Sequence, residues 1–206
     1  MPPDARLSLS AVSKSYGRTT VLRDVHLDVP AGALVGVVGE NGAGKSTLLR
    51  IAVGQLAPDA GRVVRSATLG YCPQQVRVDD ALTVEQHLRL FQAAYRLPDL
   101  HRAEELLDLF GLASSRRRRL GVLSGGTRQK LNLTLALMHD PRLLILDEPH
   151  QGFDWDNYER FWALTERLRD GGCSIVVVSH LLHDQSRFDT VHKLSEGSLH
   201  LERAAV

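Results

Sequence analysis

One stretch decides how the chain folds: Gly39-Glu40-Asn41-Gly42-Ala43-Gly44-Lys45-Ser46-Thr47. It matches G-x-x-x-x-G-K-[ST], in which glycines let successive backbone N–H groups converge on phosphate oxygens. In this motif Lys45 reaches the β- and γ-phosphates and the Ser46 hydroxyl binds Mg²⁺. An apolar, strand-like run at residues 33–38 precedes the loop, and a helix start at residues 46–52 follows it. Because the motif requires strand, loop and helix in that order, it predicts nucleotide binding over a plain glycine-rich turn.

The composition is that of a single domain, or of one domain that carries a subdomain. A chain of 206 residues can bury a substantial core. Its 25 basic and 24 acidic residues give a formal net charge of +1. That balance creates no overall attraction to nucleic acid or to an anionic membrane.

Several features predict a cytoplasmic location. Cys72 and Cys173 lie far apart with no metal-like spacing, and we interpret them as small buried side chains in a reducing compartment. Residues 1–6 lack the apolar core of a secretory signal. The longest apolar runs, such as residues 175–178, are far too short to span a bilayer. A role at a membrane would therefore need another chain.

The strand-like segments indicate two kinds of sheet. Residues 7–12 and 21–29 flank a polar break at 14–20, which predicts antiparallel strands. Two uniformly apolar runs, residues 143–146 and 175–178, are joined by a helical segment, which indicates a parallel sheet covered on both faces. Other strand candidates lie at residues 62–64 and 68–72, and in a terminal hairpin at 191–194 and 198–201.

Helical periodicity dominates from residue 84. We expect helices at residues 84–95, 102–110, 129–139 and 157–169. Four arginines at residues 116–119 form a charge run, interpreted as a solvated face or local anion contact. A nucleic-acid patch is the weaker alternative, because no aromatic residues are interleaved. Together the elements predict an α/β fold with a mixed, largely parallel core sheet, an N-terminal antiparallel β part and a helical subdomain.

Polar side chains end two of the predicted parallel strands. Asp147 and Glu148 directly follow the run at residues 143–146, at the edge where ligands bind in open α/β sheets. Phosphoryl transfer needs an acid to hold Mg²⁺ and a group to orient or deprotonate the attacking water, roles that suit Asp147 and Glu148 respectively. An acidic helix cap is the alternative. His180 ends the other strand and could contact a γ-phosphate or its water, although a lone histidine is more often structural.

A second anion site is suggested by Ser124, Gly125 and Gly126, which lie just before a predicted helix. A helix N-terminus attracts anions through its free N–H groups and its dipole. By this reasoning alone, a simple N-cap at Ser124 is the favoured interpretation over an anion site.

The segment Leu123-Ser124-Gly125-Gly126-Thr127-Arg128-Gln129, followed by the Asp147-Glu148 strand, resembles the signature of ABC-type ATPases. These are the nucleotide-binding subunits of ATP-binding cassette transporters. The resemblance extends from about residue 7 to residue 201. It implies the P-loop hydrolase fold in one domain, residues 7–206, with a helical subdomain at about residues 75–135.

The resemblance implies that the chain binds ATP and Mg²⁺. Catalytic roles fall to Glu148, His180 and Lys45, and Mg²⁺ contacts to Ser46, Gln74 and Asp147. Nucleotide contacts fall to a larger set: Tyr16, Gly39, Glu40, Asn41, Gly42, Ala43, Gly44, Lys45, Ser46, Thr47, Gln74, Ser124, Gly125, Gly126 and Asp154. Tyr16 matches the aromatic residue that stacks on adenine, with a surface tyrosine as the alternative.

The resemblance also implies partners. In this family the signature loop of one subunit covers the ATP on the P-loop of another, so a head-to-tail dimer is expected, either a homodimer or a pair with a paralogous ABC subunit. A separate integral-membrane permease would hold the chain on the inner face of the cell membrane. Residues 82–91 resemble subunits that pair with ABC-2-like, exporter-type permeases. No specific nucleic acid is expected as a partner.

The sequence departs from the family pattern near the signature and after Glu148. Thr127 stands where the family usually has Gln, and residues 150–153 are bulkier than the usual lead-in to Asp154, which Trp155 follows. These changes bear on communication across the dimer and on turnover rate. The alternatives are a soluble ABC ATPase acting on nucleic acid or ribosomes and a regulatory ATP-binding module. A small-molecule kinase would leave the signature and the acidic pair unexplained.

Overall fold

Two β-sheets organise the chain. The computed structural model describes residues 4–74, 79–180 and 184–204. Within them the strands are β1 Ala5–Tyr16, β2 Thr19–Pro30, β3 Leu34–Val38, β4 Ala60–Arg65, β5 Leu69–Cys72, β6 Leu143–Asp147, β7 Ser174–Ser179, β8 Thr190–Ser195 and β9 Ser198–Ala204. One sheet has the order β2-β1-β4 and the other the order β5-β6-β7-β3-β8-β9.

The six-stranded sheet is parallel except at one edge. β3 lies between β7 and β8 and is parallel to both, and β5, β6 and β7 are parallel neighbours. Only β9 runs antiparallel, in the predicted terminal hairpin with β8. The carboxyl ends of β3, β6 and β7 therefore meet at one edge, which brings the P-loop beside the residues that follow the other two strands. The predicted α/β fold with its mixed, largely parallel sheet is confirmed.

The antiparallel sheet contains the predicted pair β1–β2 and adds β4 on the other side of β1. The polar break expected at residues 14–20 is wrong in extent. β1 continues to Tyr16 and β2 starts at Thr19, so only Gly17 and Arg18 form the turn. Gly17 has a φ of 60°, a left-handed conformation that glycine adopts without strain and that closes a two-residue hairpin. Polar residues on a half-exposed strand hide it from a periodicity argument.

The two faces of the parallel sheet build two cores. Side chains alternate along each strand, so Leu144 and Val177 pack in a core with the helical residues that follow residue 84. Ile145 and Val176 pack in the other core, with the antiparallel sheet and the helix that follows the P-loop. All four are buried, and burial on both faces explains why these strands are uniformly apolar in sequence.

The helices lie close to their predicted positions, with one difference. They are α1 Lys45–Ala52, α2 Val84–Tyr95, α3 His101–Leu109, α4 Gly125–Leu137 and α5 Trp155–Asp170. α4 starts four residues earlier than the expected start at residue 129. The Ser124 hydroxyl accepts a hydrogen bond from the Thr127 backbone N–H at 3.3 Å, so the helix begins directly after it and the two glycines form the first turn.

The remaining sequence features are local. Arg116 pairs with Glu104 at 3.0 Å and lies 3.7 Å from Glu85, which fits a solvated face with local ion pairs. Both cysteines are buried and free, and burial raises the pKa of each thiol. Among the described residues, no helix combines the length and the apolar character needed to cross a bilayer.

Candidate functional site

The loop after β3 is shaped by glycines that tolerate no side chain. A Cβ on Gly39 would lie 2.6 Å from the Leu194 carbonyl oxygen. Gly44 has a φ of 105°, and a Cβ there would lie 3.0 Å from the Val21 carbonyl oxygen. Gly44 is also the N-cap of α1 and provides no side-chain cap. The first N–H groups of α1 therefore point toward the loop, as a phosphate site requires.

The Lys45 ammonium is held over this loop. It donates hydrogen bonds to the backbone carbonyls of Gly39 at 2.6 Å and Glu40 at 3.0 Å. These contacts bring a positive charge to the start of the loop, where it can face phosphate oxygens.

Asp147, the last residue of β6, is 7% exposed. Burial raises the pKa of its carboxyl to about 6, and the negative charge of Glu148 adds to the shift. The charge of Lys45 and a hydrogen bond from the Gln74 backbone act in the opposite direction but do not cancel it. The structure thus places Asp147 next to the P-loop lysine and next to Gln74. A bound cation would offset the cost of ionising this buried carboxyl, so Asp147 is suited to a cationic ligand.

Glu148 is held by Ser179, the last residue of β7, and by His180, which follows it. One carboxylate oxygen accepts from the His180 backbone N–H at 2.6 Å and lies 2.9 Å from His180 Nδ1, while the other accepts from Ser179 Oγ at 2.8 Å. Burial raises the pKa of this carboxyl, but the hydrogen bonds outweigh it, and the net effect lowers the pKa. Glu148 is therefore ionised at neutral pH. Its φ of 47° turns the chain sharply after the strand.

A cavity of about 410 Å³ joins these groups. Its walls include Lys45, Ser46, Thr47, Gln74, Asp147, Glu148 and His180, together with Asn41, Gly42 and Gly44. Most of the P-loop residues and all the expected catalytic and metal-binding residues thus share one space. A second, larger cavity of about 780 Å³ borders the first along Val21, Asn41 and Gly42.

The signature residues and Asp154 line neither cavity of their own chain. Ser124 and Gly125 are exposed at the start of α4 and Gly126 is half-buried there. Asp154 caps α5 by accepting from the Asn157 backbone N–H at 2.8 Å. A signature loop that is accessible but does not line the P-loop cavity of its own chain agrees with a role toward a second copy.

Tyr16 also lies outside both cavities and is 48% exposed at the end of β1. The Lys14 ammonium lies 6.0 Å from the centre of its ring. Adenine stacking at Tyr16 stays a prediction, and the surface alternative is still open.

Sequence reasoning missed three residues of this site. Ser179 supports Glu148, and its only signal is a hydroxyl residue directly before His180. Val21 and Gln151 line the smaller cavity from β2 and from the turn after β6. Neither position carries a pattern that separates it from ordinary strand or loop residues.

Comparison with known proteins decides the family. The family model described as "ABC transporter" matches residues 22–151. The chain is 42% identical to the zinc import ATP-binding protein ZnuC of Paramagnetospirillum magneticum, over 86% of this chain and 68% of that protein. The chain belongs to the ABC transporter family of ATPases.

Other relatives show how widely this cassette occurs. ABC transporter G family member 20 of Dictyostelium discoideum is 31% identical over 97% of this chain. The alignment covers 29% of that relative, so this chain corresponds to less than a third of its length.

Solved structures agree with the fold of this ABC ATPase. The ATP-binding subunit of an ABC transporter is 28% identical, with a TM-score of 0.88 over 94% of this chain and 87% of that one. A bacterial ABC transporter cassette solved as a dimer is 25% identical, with a TM-score of 0.85 over 96% of this chain and 97% of that one. The expected family, the ATPase activity and ATP as a ligand are thereby confirmed.

Proposed function

We propose that this ABC ATPase binds Mg-ATP in the smaller cavity and hydrolyses it with Glu148 as the base. The observation that supports this most strongly is the Glu148 carboxylate, ionised and oriented by His180 and Ser179 at the edge where Lys45 is held. A base must be fixed within reach of the proton it takes, and two neighbouring strands supply that fixation here.

The residues present fit a Mg²⁺ ion. Ser46, Asp147 and Gln74 offer the hard oxygen ligands that Mg²⁺ prefers. Among the described residues no group of three or more His, Cys, Asp or Glu could hold a metal, so an ion here would share its ligands with phosphate and water. When bound, Mg²⁺ neutralises charge on the β- and γ-phosphate oxygens.

The chain's own groups then carry the reaction. The P-loop N–H groups and Lys45 bind the phosphates and fix the γ-phosphorus in front of Glu148. A water oxygen attacks the γ-phosphorus, the bond to the bridging oxygen breaks, and Glu148 accepts the water proton. His180 positions that carboxylate and presents an exposed ring to the γ-phosphate.

The complete site is proposed to form in a head-to-tail dimer, with a second copy or with a paralogous ABC subunit. Ser124, Gly125 and Gly126 of one subunit would supply helix N–H groups to the γ-phosphate held by the other. Ser124 and Gly125 are exposed and none of the three residues lines the P-loop cavity of its own chain, which supports this arrangement. Within each subunit, the segment at about residues 75–135 acts as a helical subdomain of a single domain at residues 7–206.

Glu148→Gln tests the proposed base. The variant should still bind ATP, lose at least about a hundredfold in steady-state hydrolysis and accumulate an ATP-dependent dimer, measured by gel filtration with light scattering. Lys45→Ala should lose ATP binding itself. Glu202→Gln, an exposed residue on β9, provides the matched control and should behave as the wild type. Normal turnover by Glu148→Gln would exclude Glu148 as the base.

The proposed setting is transport, with the subunit held on the cytoplasmic face of the membrane by a permease. The resemblance at residues 82–91 supports an ABC-2-like exporter, whereas relatives named as zinc import proteins favour an importer. Purifying the subunit with the membrane protein encoded beside it, and following substrate flux in vesicles of known orientation, separates the two. The alternatives to transport are action on ribosomes or nucleic acid and pure regulation. Neither of them predicts a stable complex with a membrane protein.

A further inference from the structure

Two buried amide side chains lie on one face of α4, the helix that starts at the signature loop. Gln129 and Asn132 are 4% and 6% exposed. They are three positions apart, so they project from the same side of the helix. An apolar residue would fill either position more cheaply, because a buried amide costs stability unless its hydrogen bonds are satisfied.

Asn132 is bonded to the segment that carries Gln74. Its Nδ2 donates to the backbone carbonyl of Pro73 at 2.7 Å. The next residue, Gln74, has its backbone N–H at the Asp147 carboxyl. The amide thus fixes the position at which the chain leaves β5 and enters the site.

Gln129 is bonded to the opposite side of the same site. Its Nε2 lies 3.4 Å from the carbonyl oxygen of Pro149, the residue directly after Glu148, and 3.7 Å from Cys72 Sγ. Since Glu148 turns the chain with a positive φ, the position of the following carbonyl helps to set the direction of its side chain.

Both ends of α4 pack closely against other parts of the chain. A Cβ on Gly70 of β5 would overlap the Ala136 carbonyl oxygen, so the end of the helix lies directly on the sheet. At the start, a Cβ on Gly126 would lie 2.5 Å from the carbonyl oxygen of Gly152. Ser124 and Asn132 are eight residues apart, or about 12 Å along the helix axis.

We infer that Gln129 and Asn132 are positioning residues that link the signature loop to Gln74 and Glu148 of the same chain. A displacement of α4 when Ser124 meets a γ-phosphate is transmitted through the two amides to the carbonyls before Gln74 and after Glu148. Nucleotide contact at one site thereby adjusts the catalytic groups of the other. This inference rests on the proposed function, because it assumes that a second subunit presents that phosphate.

Asn132→Leu removes the donor and keeps the number and branching of the side-chain heavy atoms. Thr134→Val is the matched control, since Thr134 is buried on the same helix but its hydroxyl bonds to the Lys130 carbonyl within α4. With wild-type hydrolysis as the reference, we expect kcat of Asn132→Leu to fall about tenfold with KM for ATP within about twofold. Thr134→Val should keep both constants within about twofold. Asn132→Ala, measured in the same way, covers the case in which the leucine variant does not fold.

A double-mutant cycle tests transmission itself. Ser124→Ala and Asn132→Leu are combined in the Glu148→Gln background, and the ATP concentration at half-maximal dimer formation is measured. Substitutions at sites this far apart that share no partner have additive free energies, so without coupling the fold-changes of the two single variants multiply. Coupling predicts that the half-maximal ATP concentration of the double variant differs from this product by at least about threefold. The inference is overturned if the double variant lies within about twofold of that product, or if the kcat of Asn132→Leu equals that of Thr134→Val. If wild type and Thr134→Val also fail to hydrolyse ATP, the proposed function is wrong and the inference fails with it.

Discussion

The buried carboxyl of Asp147 provides a measurement of the electrostatics of this site. Its pKa is raised from 3.8 to about 6, first by burial and then by the charge of Glu148. Replacing it by Asn removes the charge and keeps the shape. We therefore expect Asp147→Asn to stabilise the subunit at pH 8 without nucleotide or Mg²⁺.

The magnitude follows from the shift. About two pKa units correspond to about 3 kcal/mol of preference for the neutral form, and solvent in the cavity reduces this to about 1–3 kcal/mol. The sign of the effect on the free energy of unfolding follows from proton binding. Because the pKa of Asp147 is higher in the folded than in the unfolded chain, the folded chain binds the proton more tightly. The loss of stability caused by the ionised Asp147 is fully present above pH 6, decreases as the pH falls from 6 toward 3.8, and is absent below that value.

Urea unfolding at pH 8, 6 and 4.5 measures this difference. Asp147→Asn should be more stable than wild type by about 1–3 kcal/mol at pH 8, and the gap should narrow as the pH is lowered. Asp28→Asn, at an exposed position on β2, is the control and should show no comparable gap. Equal or lower stability of Asp147→Asn at pH 8 would refute the reasoning, because the attraction of Lys45 and the hydrogen bond from the Gln74 backbone to the carboxylate would then outweigh the burial cost. A gap independent of pH would refute it as well, because the difference would then not come from ionisation of Asp147.

The remaining predictions concern three local contacts. Gly126→Ala should lose about 1–3 kcal/mol of unfolding free energy because its Cβ meets a backbone carbonyl, whereas Gly125→Ala, with open space around it, should match wild type or exceed it slightly in urea unfolding. Ser179→Ala removes a hydrogen bond that lowers the pKa of Glu148, so the acid limb of the pH–rate profile should move to higher pH. Thr83→Ala removes the capping box of α2 and should cost about 1 kcal/mol, measured as a lower thermal midpoint.

Much of the fold could be predicted because its determinants are local. The glycines of residues 39–47 and the buried runs at 143–146 and 175–178 each specify backbone or burial within a few positions. Parallel pairing followed from the apolar character of those runs and from the helix between them. The loop after β3 is therefore placed at the edge of the sheet by sequence alone, with Asp147 and His180 following neighbouring strands.

Other features depend on which carbonyl lies opposite which side chain, and this is decided by tertiary packing. Ser179 supports Glu148 only because β7 pairs with β6, and no pattern near residue 179 announces that hydrogen bond. In the sequence, Asn132 is not distinguishable from an ordinary polar residue of a helix. Only the structure shows that its amide donates to the Pro73 carbonyl.

The start of α4 depends both on local sequence and on tertiary packing. The sequence places Ser124, Gly125 and Gly126 together and predicts either an N-cap or an anion site. The structure shows that Ser124 caps the helix and that the loop is accessible yet does not line the P-loop cavity of its own chain. Local sequence determines what a segment can bind, because residue type and backbone freedom are short-range properties. The partner it meets depends on chain packing, since the packing brings distant residues into contact.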